Sequence, residues 1–328
     1  MAEYKGIKGF KVQSLASDSS PLNEGQVWYN TASAALKYTS VLGAWAAGGA
    51  LSGGGKRNAA GVGGQTAALA VMGTPTGGYP AVDTTVESYN GTAWTAAPSA
   101  NTSRTNIGGT MVGTQTAGQV QGGYKPGPSP QVITEQFNGA SWTEVADLST
   151  GRWSSAGGGT STAAFDAGGR TAPNTANVEI WNGASWTEVN NMNTARGYLS
   201  GGGTTTAGLV YGGGPPDSAL TESWNGTSWT EVNDLNTARM YGAGIIGPSG
   251  QTSAILAGGQ EPAITGKTEQ WNGTSWSEVA DLATARSQET GNSAATTTAG
   301  LVVGGYPPAT DATEEWTVAE AAKTVTVS

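Results

Sequence analysis

An arginine, a glutamate and a pair of aromatic residues return at fixed distances through almost the whole chain, and that regularity restricts its fold more than any other feature. The aromatic pairs are Tyr89 and Trp94, Phe137 and Trp142, Trp181 and Trp186, Trp224 and Trp229, and Trp271 and Trp276, with Trp316 alone at the end. A glutamate stands two residues before the first aromatic of each unit, at Glu87, Glu135, Glu179, Glu222, Glu269 and Glu314. An arginine follows the second aromatic by ten residues at Arg104, Arg152, Arg196, Arg239 and Arg286. Arg57 supplies the sixth arginine, twelve residues after the orphan Trp45.

Each unit reads as four short strands. Strand a starts from the arginine, strand b ends in a glycine doublet, strand c ends in the first aromatic, and strand d starts near the second. The doublets are Gly77-Gly78, Gly122-Gly123, Gly168-Gly169, Gly212-Gly213, Gly258-Gly259 and Gly304-Gly305. Asn-Gly joins strands c and d in five units, at Asn90, Asn138, Asn182, Asn225 and Asn272, and predicts type I′ hairpin turns. A four-stranded unit of about 45 residues cannot bury its own apolar faces without neighbours, which predicts an all-β, six-bladed β-propeller. The sixth unit has strand c, Thr313 to Val318, but no second aromatic after it. Trp45 and its neighbours are expected to supply the missing strand, so that an N-terminal strand closes the last blade. Residues 1–42 then form a short N-terminal arm and 43–328 the propeller. A further hairpin, Gly25 to Thr39, leaves a seventh blade as the rival count.

A feature present once per unit belongs to the repeat rather than to one site. The glutamates and arginines are therefore expected to pair within or between blades, each carboxylate forming a bidentate fork with its arginine. The tryptophans of the strands are expected to pack between blades. The loops between strands b and c differ most from unit to unit, which is where a repeat protein carries its binding face. Tyr79, Tyr124 and Tyr306 lie there. Trp153, directly after Arg152, should share that face, and these four are the candidate ligand-binding residues.

Composition narrows the function. The chain has no histidine and no cysteine, so it lacks the usual general base near neutral pH, a thiol nucleophile and the commonest transition-metal ligands. No catalytic, cofactor or metal residue is identified, and no enzyme activity is expected. Asp83, Asp217 and Asp311 fall in the variable loops of different units without calcium-loop spacing and read as surface carboxylates. Net charge is −9; residues 1–45 carry +1, from Lys5, Lys8, Lys11 and Lys37 against Glu3, Asp18 and Glu24. An acidic repeat disfavours nucleic acid as a partner, and no apolar run is long enough for a membrane-spanning helix.

The segment VEIWNGASWTEVNNMNTAR, Val178 to Arg196, with the glycine doublet ahead of it, resembles the Kelch family. Glu179, Trp186 and Arg196 fall where that family has Glu, Trp and Arg, and the resemblance covers roughly residues 57–318, matching the repeat. It implies a propeller. A copper-enzyme branch of the family, similar to galactose oxidase, uses histidines and a cysteine-modified tyrosine, which this chain cannot provide. The leader MAEYKGIKGFKVQSLASDSS, followed by EGQVWYNTASAALKY, resembles Kelch-like virion proteins of marine tailed bacteriophages. That resemblance implies a structural protein of the tail, fibre or capsid surface, located in the virion. Residues 1–42 would dock on other virion proteins, while the propeller meets host-surface polysaccharide or protein, as a monomer or a homo-oligomer. The alternative is a bacterial glycan-binding or scaffolding propeller with no virion attached.

Overall fold

The structure is a computed structural model that describes residues 12–18, 26–78, 81–107, 111–127, 130–247, 250–292 and 297–325. Among them every regular element is a β-strand, so no helix is long and apolar enough to cross a membrane. The strands form seven sheets, and the chain divides into two compact units, Trp45–Thr317 and Met1–Ala44 with Val318–Ser328. The stretch from Val318 groups with the N-terminal segment and not with the repeat.

Five sheets of the larger unit each hold one complete repeat in antiparallel order. Sheet 1 is built on Ala60–Gly64, Ala67–Pro75, Asp83–Tyr89 and Trp94–Ala97, with Lys56–Arg57 also paired to its second strand. Sheet 2 is Met111–Thr114, Ala117–Gln121, Thr134–Phe137 and Trp142–Glu144. Sheet 3 is Ala156–Thr160, Ala163–Ala167, Val178–Trp181 and Trp186–Val189. Sheet 4 is Ser200–Thr204, Ala207–Tyr211, Thr221–Trp224 and Trp229–Val232. Sheet 5 is Ala243–Ile246, Ala254–Ala257, Thr268–Trp271 and Trp276–Glu278. The sixth repeat contributes Thr290–Gly291, Ala299–Val303 and the start of Thr313–Thr324, joined by the end of Ala35–Ala47.

The a strands touch in a cycle: sheet 1 meets sheet 2, each following sheet meets the next, and Thr290–Gly291 meets Ala60–Gly64. Glycine makes so close an approach feasible. A Cβ on Gly202 would stand 2.1 Å from Ile246 Cγ2, and one on Gly291 would stand 2.1 Å from the Gly244 carbonyl oxygen. The arrangement is propeller-like.

Trp45 lies in the strand Ala35–Ala47, which pairs with Thr313–Thr324. Its ring lies 5.2 Å from that of Trp316, matching 4.8 Å for Tyr89 and Trp94 and 5.6 Å for Trp181 and Trp186. Its indole N–H also donates to Thr268 Oγ1 of the preceding sheet at 3.2 Å. The same bond runs from Trp186 to Thr134, from Trp276 to Thr221, and from Trp94 to Thr313, which ties sheet 1 to the sixth. Buried apolar side chains fill the gaps between sheets, as where Phe165 and Val178 meet Val210, Trp224 and Trp229. Each buried ring of this size removes about 150–250 Å² from water, worth roughly 4–6 kcal/mol before entropy is counted.

Several local expectations are corrected. The Asn-Gly connections are four-residue loops, because Tyr89 pairs directly with Trp94 and each other first aromatic with its second. Only the glycine has positive φ, 90° at Gly91. Asn90 Oδ1 instead accepts the Thr92 and Ala93 amides at 2.9 Å. In sheet 1 the conformation of the glycine doublet belongs to Met72 (φ 55°) and Gly73 (φ 118°). There Gly73 N–H donates to the Arg104 carbonyl, as Gly123 N–H does to that of Arg152. Gly77-Gly78 lies in a turn beyond it.

Arg57 does not occupy the sixth arginine position; Lys56 does. Gly305 N–H donates to the Lys56 carbonyl, while the Lys56 ammonium reaches the Thr85 hydroxyl and lies 3.6 Å from Asp83. The other five pairs are Arg104–Glu135, Arg152–Glu179, Arg196–Glu222, Arg239–Glu269 and Arg286–Glu314, at 2.5–2.9 Å and all within one sheet. None is a bidentate fork. One carboxylate oxygen takes the guanidinium, and the second accepts a backbone amide of the d-to-a link, as Glu222 does from Asn193 at 2.7 Å. Among the described residues, Glu87 has only Ser52 and Gly53 as donors.

The smaller unit pairs Val27–Asn30 antiparallel with the start of Ala35–Ala47, the hairpin expected near Gly25 to Thr39, and adds Gln13–Leu15 parallel to the first strand. Trp28 is fully buried there, and Asn30 Nδ2 donates to Asp18 at 2.7 Å.

Candidate functional site

The loop face is built by one backbone device repeated around the cycle. In five sheets the residue after the buried arginine bridges to the residue after the glycine doublet: Thr105 to Tyr124, Trp153 to Arg170, Gly197 to Gly214, Met240 to Gln260 and Ser287 to Tyr306. The variable loops and the links to strand a therefore share a face, as their alternating strand directions require.

The next residue in every sheet is left-handed without being glycine: Asn58, Asn106, Ser154, Tyr198, Tyr241 and Gln288, with φ between 51° and 61°. Each such residue costs of order 1 kcal/mol or more and persists only where surrounding structure imposes it. A belt of hydrogen bonds from sheet to sheet imposes it here. Ser154 N–H donates to Asn106, Tyr198 to Ser154, Tyr241 to Tyr198, Gln288 to Tyr241 and Asn58 to Gln288, all to carbonyls at 2.7–3.2 Å. The belt surrounds a cavity of about 50 Å³ lined by Asn58, Ser154, Tyr198, Tyr241, Gln288 and Glu289 among others. That volume holds a few waters and no sugar.

Outside the belt the aromatic side chains form an arc. Tyr124 lies 5.5 Å from Trp153, Trp153 lies 5.3 Å from Tyr198 edge to face, and Tyr198 lies 4.2 Å from Tyr241. All four are half-buried. Burial first, then the hydrogen bond and charge of Tyr198, push the Tyr241 phenol above its ordinary pKa, so it stays protonated. The Arg170 guanidinium stands 5.2 Å from the ring centres of both Trp153 and Tyr198.

The structure thus brings two of the four expected ligand residues together, Tyr124 and Trp153. Tyr306 is exposed at 38% and lies under Arg57, 4.7 Å away, in the sixth sheet. Tyr79 lies outside the described residues. Tyr198, Tyr241 and Arg170 escaped the sequence reading. A tyrosine two residues after the arginine, in RGY and RMY of successive units, was the available signal for the first two.

Two buried acids lie off the arc. Glu289 is 5% exposed, and neither carboxyl oxygen has a hydrogen-bond partner among the described residues. Burial pushes its pKa well above the usual carboxylate value. Asp166 accepts from Ser155 Oγ at 3.0 Å, and burial raises it to about 6 against the pull of Arg152. Among the described residues no three acidic side chains gather as a metal site would need. No protein-family model and no curated protein matches the chain.

Proposed function

We propose that the chain is a six-bladed Kelch-like propeller carried on a phage particle, and that the aromatic arc holds polysaccharide of the host surface. The observation that carries the binding reading is the run Tyr124, Trp153, Tyr198 and Tyr241, which crosses four consecutive sheets with adjacent ring centres 4.2–5.5 Å apart. Sugars stack on aromatic faces through their apolar C–H faces, and half-buried rings held by neighbours lose little freedom on binding. The cycle of a strands, the closure by Trp45 and the repeated arginine–glutamate pairs support the propeller. The repeat supports the family, and the leader supports the virion.

Docking through the N-terminal segment has its own support. Among the described residues, five of the six large hydrophobic side chains left exposed, Val12, Val27, Tyr29, Tyr38 and Val325, belong to the smaller unit. Such a concentration marks an interaction surface. Mass spectrometry of purified particles tests the location: the protein should be present, and deletion of residues 2–24 should remove it from particles. A protein absent from every particle would instead be a free glycan-binding or scaffolding propeller. For the binding site, replacement of Trp153 and Tyr124 by Ala should abolish retention of the isolated protein on host polysaccharide; unchanged retention would refute the arc.

A further inference from the structure

Building on the polysaccharide reading, we infer that the sugar held by the arc carries a carboxylate, and that Arg170 is the group that receives it.

Arg170 differs from the arginines of the repeat. Arg104, Arg152, Arg196, Arg239 and Arg286 each bond a glutamate and are buried. Arg170 makes no ion pair with any described residue, its Nε has no hydrogen-bond partner, and it is half-buried on the loop face. The nearby Asn174 Oδ1 is without a donor as well, since the Asn174 amide nitrogen is turned to the Gly214 carbonyl at 2.9 Å. Among the described residues no acceptor pairs with the guanidinium, in a chain whose net charge is −9.

The group is nevertheless held in place. Its stem lies over Gly197, where an added Cβ would stand 2.5 Å from Arg170 Cγ. At the corresponding position the other sheets carry Arg57, Thr105, Trp153, Met240 and Ser287. Only sheet 4 leaves the room. The guanidinium stands 5.2 Å from the ring centres of both Trp153 and Tyr198, which are themselves 5.3 Å apart edge to face, so it rests against one side of that pair. A planar, pre-placed fork beside two aromatic rings is the arrangement that binds a carboxylate bidentately while the sugar ring stacks. A neutral sugar would leave the fork unused.

The test is titration calorimetry of the full chain against oligogalacturonate and hyaluronan oligosaccharides, each beside its carboxyl-reduced form, with neutral galactan as a further probe. At least one acidic oligomer should bind ten-fold or more tighter than its reduced form. Arg170→Gln should erase that preference, Arg170→Lys should keep part of it, and Tyr198→Ala should weaken acidic and reduced forms together. Circular dichroism of each variant establishes that it is folded, and the ratio between acidic and reduced ligand reads the charge separately from the fold. Equal binding of acidic and reduced forms, or a preference that survives Arg170→Gln, would overturn the carboxylate and leave the polysaccharide reading standing. Failure of every oligosaccharide, galactan included, would overturn both.

Discussion

Replacing Glu222 by Ala tests whether the repeated arginine is held by its carboxylate. Arg196 is 3% exposed and Glu222 fully buried. The guanidinium gives NH1 to the carbonyls of Gly212 and Leu220 at 2.8 and 2.7 Å and NH2 to Glu222 Oε1 at 2.9 Å. Burial already lowers the Arg196 pKa, and Glu222 is the main charge working against that. Truncation leaves the cation in place with two carbonyls, and it frees the Asn193 amide, whose hydrogen bond Oε2 accepted, to water. Removing one partner of a buried pair costs roughly 3–5 kcal/mol. The surviving carbonyl bonds hold the arginine part of the loss at the low end, water replaces the bond to the amide of the exposed Asn193, and the expected total is about 3 kcal/mol. Glu87 supplies the internal control, because its donors are Ser52 and Gly53 and no arginine depends on it. Both residues are exposed, so water replaces the lost bonds, and Glu87→Ala should cost only about 1–2 kcal/mol. Urea unfolding at constant m reads the difference as a shift in midpoint. The double variant Arg196→Met with Glu222→Leu should recover most of the loss. Equal costs at Glu222 and Glu87, or less than about 1 kcal/mol at Glu222, would refute the assignment.

Two further substitutions exploit departures within the repeat. Trp229 Nε1 is buried without a partner, and the preceding sheet has Val178 where the others that receive this bond have threonine. Val178→Thr should therefore raise stability by about 1 kcal/mol; a loss in the same urea assay would show that the hydroxyl finds no orientation there. Asp166 stands in strand b where sheets 2 and 4 have Val120 and Val210. With its pKa raised from 3.8 to about 6, the fold holds the proton after the unfolded chain has released it. Its contribution is full below about pH 4 and falls as pH rises to about 6, for a total near 3 kcal/mol at about 1.4 kcal/mol per pH unit. Asp166→Asn should lack that decline, so the stability difference between variant and parent should grow across this window. A constant difference would place the carboxylate in a better solvated site.

What the sequence made legible is what the repeat itself encodes. Spacing located the aromatic pairs and the glutamates, and it singled out Trp45, whose ring lies against that of Trp316. The spacing of five between paired aromatics also excluded a two-residue hairpin, since facing residues five apart enclose four; Asn-Gly obscured this by its strong association with the tighter turn. Sheet 1 misled for a physical reason. Gly77-Gly78 stands nine residues before Glu87 at its second member, as Gly213 stands before Glu222, so spacing favours it. The left-handed position nevertheless went to Met72, held where Gly73 reaches the Arg104 carbonyl. Lys56 and Arg57 were exchanged in the same way, two cations one residue apart that only the Lys56 carbonyl bond to Gly305 distinguishes.

The belt and the arc were hidden more deeply, because they exist between repeats. No residue type announces a left-handed tyrosine or glutamine, and the conformation of Tyr198 depends on the Ser154 carbonyl of the sheet before it. Arg170 belongs to the third repeat, yet its position depends on the missing side chain at Gly197 in the fourth. Read within its own repeat, Arg170 is a loop cation and Gly197 a loop glycine. The two acquire a joint meaning once adjacent sheets are placed edge to edge, which also yields a sharp expectation. Gly197→Ala should displace the Arg170 stem from its place beside the two rings and reduce the preference for acidic over carboxyl-reduced oligosaccharide, while leaving the arginine and both aromatics in the chain.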